Sequence, residues 1–117
     1  MTKNVAVAPD TRPAMHKMMC AAVERSGALL TNVEDAEGLI WADPARPELF
    51  PEIAEKANNL QWIQLPYAGI EPFAHHLNSK WFWTCGKGVY APAVAETVLA
   101  LALSLSKNLH NYARETE

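Results

Sequence analysis

The sequence has few cysteines and no cluster of positive charge. Cys20 and Cys85 are the only two cysteines among 117 residues, too few for a disulfide framework or a cysteine-based metal site. Lysine and arginine, 10 in total, are scattered against 13 acidic residues, which gives a net charge of −3. Without a basic face the chain is a poor ligand for nucleic acid or an anionic membrane, and neither is expected as a partner.

We expect no leader segment, and the sequence lacks the glycine patterns that hold nucleotides. Residues 1–4 run directly into an apolar stretch of about five residues, far shorter than the core of a signal peptide, so we expect a cytoplasmic location. The pair Gly86 and Gly88 has no third glycine and no helix directly after it, and phosphate-loop spacing does not occur. The 117 residues therefore carry no dinucleotide fingerprint.

Short apolar runs alternate with segments of helical periodicity along the chain. Half of the residues are hydrophobic and a fifth are charged, which is typical of one folded domain. Strands are predicted at 4–9, 28–30, 38–42, 60–65 and 81–85. Helices are predicted at 13–26, 47–59 and 70–77, and a longer one at 93–105. This alternation predicts an α/β fold, a flavodoxin-like doubly wound parallel sheet of five strands in the order 2-1-3-4-5.

The last helix is apolar nearly all round. From Val94 to Leu105 only Glu96, Thr97 and Ser104 interrupt the apolar residues, whereas a surface helix would show a polar face. The run is too short to cross a bilayer. We therefore expect protein to bury it on two sides, with this sheet on one side and a second domain or subunit on the other.

The loop after the fourth strand is the strongest candidate for a binding site. Ligands of open parallel sheets bind beyond the carboxyl ends of the strands, and Tyr67, Ala68 and Gly69 follow such an end. Small residues permit a close backbone approach, and free N–H groups at the start of the next helix can hold an anion. An ordinary tight turn between strand and helix is the alternative interpretation of the same residues.

Asp43 and Lys87 suggest a different function. Receiver domains have this topology, with an aspartate after the third strand and a lysine after the fifth. They also need an acidic pair after the first strand, where only Asp10 occurs, and a small hydroxyl residue after the fourth, where Leu-Pro-Tyr-Ala at 65–68 has no serine or threonine. The four histidines show no spacing typical of a metal site or an acid–base dyad, and His75 and His76 are expected to form a surface pair.

The second half of the chain resembles the D-isomer-specific 2-hydroxyacid dehydrogenases, the family of phosphoglycerate dehydrogenases and glyoxylate/hydroxypyruvate reductases. The resemblance lies in residues 60–69 and in residues 88–101, which read Gly-Val-Tyr-Ala-Pro-Ala-Val-Ala-Glu-Thr-Val-Leu-Ala-Leu. It implies that residues 1–91 form a substrate-binding domain. Residues 92–117 would then be an interdomain helix that leads to a further Rossmann domain, which binds NAD or NADP.

The resemblance also implies roles for individual residues. Ala68 and Gly69 would offer backbone N–H groups to the carboxylate of a small 2-keto or 2-hydroxy acid, and Tyr67 would lie beside them. Arg46 could add a positive charge at the cleft. The cofactor-binding residues in this part of the family are expected at Val94, Glu96 and Thr97, near the nicotinamide end.

The remaining expectations concern activity and assembly. The family's catalytic arginine, glutamate and histidine belong to the Rossmann domain, so no catalytic residue, no metal and no cofactor bound by these residues alone are expected here. A homodimer is expected through the helix Val94–Leu105, because an exposed apolar patch favours association. A free-standing flavodoxin-like binding module, with no enzymatic partner domain, is the main alternative to the dehydrogenase.

Overall fold

Five short strands form one parallel sheet, as the alternating pattern predicts. The computed structural model describes residues 3–115. The strands are β1 (Asn4–Ala8), β2 (Leu29–Leu30), β3 (Gly38–Trp41), β4 (Trp62–Gln64) and β5 (Phe82–Thr84). Their order in the sheet is β2-β1-β3-β4-β5 and every neighbouring pair is parallel, so the predicted flavodoxin-like order is confirmed. All five carboxyl ends therefore lie along one edge.

The side chain of Trp62 spans three neighbouring strands. Its strand position in β4 is paired with Gly38 of β3, and a Cβ on Gly38 would lie 2.6 Å from the indole ring. The indole N–H donates a hydrogen bond to Oγ1 of Thr84 in β5, at 2.7 Å. Glycine at position 38 is thus required for the ring to lie across β3, and Trp62 links β3 to β5.

Four α-helices occur within residues 3–115. They are α1 (Pro13–Arg25), α2 (Phe50–Lys56), α3 (Ala91–Ser106) and α4 (Leu109–Glu115), and a 3-10 turn at Pro47–Leu49 leads into α2. The helix predicted at 47–59 therefore begins as a 3-10 turn and ends three residues early. It ends because Ala57 is extended and the N–H of Asn58 donates instead to the carbonyl of Glu34.

The prediction of a helix at 70–77 is wrong. The structure has a single 3-10 turn at Glu71–Phe73, followed by turns in which the N–H groups of His76 and Leu77 both donate to the carbonyl of Phe73. Eight residues gain too few helical hydrogen bonds to offset nucleation. The side-chain amide N–H of Asn78 then donates to the carbonyl of His76, so that this carbonyl does not accept a bond from a further helical turn.

An aromatic core covers one face of the sheet. Trp41 of β3 and Phe73 are fully buried with their ring centroids 5.7 Å apart, and Phe50 of α2 packs against both, at 5.6 Å and 6.4 Å. The indole N–H of Trp41 donates to the carbonyl of Asp43, which satisfies its one polar atom. Trp41 is fully buried, and the other three tryptophans, Trp62, Trp81 and Trp83, are partly buried.

The opposite face is covered over β1 and β2 by α1, through Val23, Met19 and Cys20. Toward the β5 edge the covering is incomplete, since Phe82 points outward and is 79% exposed. At the other end of the strands, Lys3 and Glu37 form an ion pair of 2.7 Å between β1 and the approach to β3. The hydrogen bond from Lys3 lowers the pKa of Glu37.

The chain divides into two compact units, one ending at Lys87 and the next beginning at Gly88, near the predicted boundary after Ala91. In the second unit, α3 and α4 are separated at Asn108, whose φ of 56° ends the first helix. Every residue of α3 is exposed except Ser104. None of the described helices is long and apolar enough to cross a membrane.

The aromatic core can be tested with two phenylalanines of opposite exposure. Phe73→Ala should lower the free energy of unfolding by about 3–5 kcal/mol, because it empties space at the centre of the core. Phe82→Ala should change it by no more than about 0.5 kcal/mol. Urea unfolding measures both, and Phe73→Leu, at a cost below about 1.5 kcal/mol, serves if the alanine variant does not fold. Equal losses at the two positions would contradict the assignment of the core.

Candidate functional site

The carboxyl edge of the sheet brings two predicted segments together. The loop after β4 and the segment after β5 meet where the N–H of Gly86 donates to the carbonyl of Tyr67, at 3.1 Å. Gly86 is buried, and a Cβ there would lie 3.0 Å from the carbonyl oxygen of Pro66. Glycine is therefore needed at this contact for a steric reason, which the sequence signals only by placing a glycine one residue after the predicted fifth strand.

Residues Tyr67, Ala68 and Gly69, here called the elbow, form an exposed bend directly above that contact. Within residues 3–115, the backbone N–H groups of Ala68 and Gly69 donate no hydrogen bond. Exposed N–H groups of this kind are available to a carboxylate or another anion. The predicted helix behind them is a 3-10 turn of three residues, so no helix dipole of useful length supports the elbow.

Glu71 places a carboxylate beside the elbow. Its Oε2 lies 2.9 Å from the position that a Cβ of Gly69 would occupy. An anion bound at the elbow would be repelled by this carboxylate unless the Glu71 side chain turned away. Because Glu71 is exposed, that movement needs no change in the backbone.

Arg46 has a carboxylate partner of its own. Its Nε donates to Oε1 of Glu48, and this hydrogen bond raises the pKa of Arg46 and lowers that of Glu48. The backbone N–H of Arg46 donates to the carbonyl of Asp43, so the residue closes the turn after β3. The positive charge that was expected at the cleft is therefore largely balanced within the turn.

Asp43 is buried and fully engaged. It is 4% exposed, Oδ2 accepts a hydrogen bond from the hydroxyl of Thr11, and Oδ1 accepts one from the N–H of Ala45. A phosphoacceptor aspartate needs an accessible oxygen, so this environment does not favour the receiver interpretation. No group of three histidine, cysteine or acidic residues placed to hold a metal ion occurs in residues 3–115.

Val94, Glu96 and Thr97 lie in the N-terminal half of α3 and are exposed. The hydroxyl of Thr97 donates to the carbonyl of Ala93 at 2.9 Å, a bond within the helix that leaves its oxygen lone pairs free to accept. These residues belong to the second unit, whereas the elbow and Arg46 belong to the first.

A cluster that the sequence did not reveal surrounds His16 on α1. Its Nε2 lies 3.0 Å from the carbonyl oxygen of Val7, and its Nδ1 lies 3.7 Å from Oδ1 of Asp10 and 3.6 Å from Sγ of Cys20. The four-residue spacing of His16 and Cys20 was the available signal, since such positions are neighbours on a helix. Asp10 joins them because it lies in the short connection between β1 and α1, six residues before His16.

Cys20 is not an activated nucleophile. Burial, together with the carboxylates of Glu24 and Asp10, raises the pKa of its thiol, so the sulfur stays protonated at neutral pH. A protonated thiol can donate to Nδ1 of His16 in the tautomer that carries its proton on Nε2, and that Nε2–H then donates to the carbonyl of Val7. The cluster therefore orders the start of α1 and offers no thiolate for catalysis.

His75 and His76 are not an equivalent surface pair. His75 is exposed as expected, whereas His76 is partly buried with its ring centroid 5.4 Å from that of Phe50. The turn after Phe73 directs one ring into the aromatic core and the other toward solvent.

Comparisons of the chain with protein-family models, with curated proteins and with solved structures found no match. Function is therefore inferred from the geometry of the elbow and from the residues that carry the resemblance.

Gly86→Ala and Gly69→Ala form a matched test of the elbow. The methyl group at position 86 meets backbone, so we expect a loss of about 1–3 kcal/mol in the free energy of unfolding. The methyl group at position 69 meets only the end of the flexible Glu71 side chain, and the loss should stay within about 0.5 kcal/mol. Urea unfolding decides, and a tolerated Gly86→Ala would contradict the close contact between the elbow and the segment after β5.

Proposed function

We propose that this chain is the substrate-binding part of an NAD(P)-dependent oxidoreductase acting on the CH–OH group of a small 2-hydroxy acid. The observation that carries the proposal is the pair of exposed backbone N–H groups at Ala68 and Gly69, at the carboxyl edge of a parallel sheet in the order 2-1-3-4-5. Ligands of such sheets bind at this edge, and two adjacent N–H groups suit the two oxygens of a carboxylate.

The division of roles within the proposed enzyme follows from what these residues contain. The elbow would hold the substrate carboxylate, and the Tyr67 side chain would flank it. Val94, Glu96 and Thr97 would approach the nicotinamide end of the cofactor, with the Thr97 hydroxyl and the Glu96 carboxylate as hydrogen-bond acceptors. When bound, the cofactor supplies the hydride chemistry. In this proposal its nucleotide part and the acid–base residues are provided by a further domain.

A free-standing binding module remains the second candidate, and one observation favours it. The first unit contains all five strands and both hydrophobic clusters, so it has a complete core of its own. A module of this kind could bind an anion at the elbow without any redox reaction.

Carboxylate binding is tested by titrating the chain with pyruvate, glyoxylate and hydroxypyruvate while following backbone amide resonances by NMR. The Ala68 and Gly69 amide protons should shift, with dissociation constants of about a millimolar, because only exposed hydrogen bonds hold the ligand. Pyruvamide is the matched control without a carboxylate and should not shift them. Absence of a shift with all three acids would contradict the proposal.

Two further measurements test the proposal: turnover with NADH, and binding of acetate, which separates the two candidates. With NADH and a keto acid that binds, these residues alone should give no turnover, since none of them supplies the acid–base group. Turnover here would contradict the placing of the catalytic residues in a further domain. Shifts equally strong with acetate would favour a general carboxylate-binding module over a 2-keto acid site.

Association through α3 is the second part of the proposal. Val94, Val98, Leu101 and Leu105 recur at four- and three-residue steps on one side of the helix and are 57–69% exposed. A second side carries Leu99 and Leu103, also exposed. An apolar helix of this length favours a homodimer over a solvated monomer.

Leu101→Lys should dissociate this dimer, because the charge would be buried without a partner. Light scattering across a range of concentrations measures the association. Met18→Lys, which places the same charge at an exposed position of α1, is the matched control and should leave the dimer intact. A wild-type chain that stays monomeric at high concentration would contradict the proposed interface.

A further inference from the structure

A groove of about 290 Å³ lies between α2 and the segment from His75 to Trp81, within the first unit. The connection between β4 and β5 creates it, because the predicted helix at 70–77 is replaced by a 3-10 turn and irregular backbone. The groove is lined by residues of α2 on one side and by His75, His76, Lys80 and Trp81 on the other. Its volume is at the lower end of the range for ligand sites, so a ligand must be small.

Aromatic rings form the apolar part of the groove. The rings of His76 and Trp81 pack against Phe50 with centroid distances of 5.4 Å and 5.8 Å. Both rings are partly exposed on the groove side, and a third ring could pack against them in the same tilted or edge-to-face manner.

Opposite charges occupy the two sides of the groove. Glu55 projects from α2, and Lys80 belongs to the facing segment, with its Nζ 4.8 Å from the centroid of the Trp81 ring. Within residues 3–115 neither side chain is in an ion pair, so the two charges line one space and do not neutralise each other. A ligand that carries both signs is complementary to this arrangement.

The segment that carries Lys80 is fixed by its own hydrogen bonds. The N–H of Lys80 donates to the side-chain oxygen of Asn78 at 2.9 Å, and the indole N–H of Trp83 donates to the Asn78 carbonyl at 3.2 Å. This turn holds Lys80 and Trp81 in place before any ligand arrives, which reduces the ordering cost of binding.

We propose that the groove binds a free aromatic amino acid. The ligand ammonium group lies toward Glu55, its carboxylate toward Lys80, and its ring against His76 and Trp81. The site is separate from the elbow, so this proposal does not depend on the 2-hydroxy acid function.

The probe is L-phenylalanine, titrated into the full chain while the indole N–H resonance of Trp81 is followed by NMR. 3-Phenylpropionate lacks the ammonium group, 2-phenylethylamine lacks the carboxylate, and L-alanine lacks the ring. Phenylalanine should shift the Trp81 resonance. The two analogues that lack a charge should bind about two- to fivefold more weakly, because the charged contacts are exposed. L-Alanine should also bind more weakly, because it has no ring to pack against His76 and Trp81.

Two variants link each charge to its partner on the ligand. Lys80→Gln should weaken phenylalanine binding about two- to fivefold and leave 2-phenylethylamine unchanged, and Glu55→Gln should weaken phenylalanine binding and leave 3-phenylpropionate unchanged. Lys56→Gln and Glu52→Gln, in an exposed ion pair of α2 outside the groove, are the matched controls and should change nothing.

The proposal is overturned if phenylalanine does not shift the Trp81 resonance, or if the three analogues bind as tightly as phenylalanine. It is equally overturned if Lys80→Gln weakens the binding of phenylalanine and 2-phenylethylamine alike, since the lysine would then not recognise the carboxylate. An effect of Lys56→Gln equal to that of Lys80→Gln would show a general charge effect and would also overturn the proposal.

Discussion

The packing of one side chain, Phe50, holds the first unit together. Its ring lies 5.2–6.4 Å from the centroids of five others, those of Trp41, Phe73, His76, Trp81 and Trp83. These rings come from a central strand, from the edge strand and from the irregular segment between β4 and β5. Strands of three residues make few ladder hydrogen bonds, so β4 and β5 depend on this packing for their positions. The elbow follows β4, and the groove lies beside the segment that leads into β5.

The sheet could be predicted from the sequence because its signals are local. Apolar runs such as Val5–Ala8 and Gly38–Trp41 are bounded by proline or glycine, and the intervening helical periodicity fixes the parallel order. The prediction of a helix at 70–77 was wrong because the burial of Phe73 in the aromatic core outweighs a weak local preference for helix. The partners of His16 were missed for a related reason: Asp10 lies in a connecting loop, and such a loop has no periodic signal.

The position of the elbow could be predicted from the sequence, but the contacts around it could be predicted only in part. A small-residue turn at a strand end could be located, but the steric need for Gly86 beneath Tyr67 emerges only when β4 and β5 are adjacent. The carboxylate of Glu71 beside Gly69 is likewise a feature of the folded turn. Recognition by backbone N–H groups also explains why the sequence says little about the substrate, since those groups are the same in every residue except proline.

The hydrogen bond of the Trp62 indole makes it possible to observe the opening of the sheet edge. It crosses Gly38, donates its only proton to Thr84, and thereby touches three strands at once. Detachment of the outermost strand would break that hydrogen bond before the central strands separate. Solvent exchange of this single indole proton would therefore report the fraying of the sheet margin, while the buried Trp41 indole, hydrogen-bonded to Asp43, would report only global unfolding.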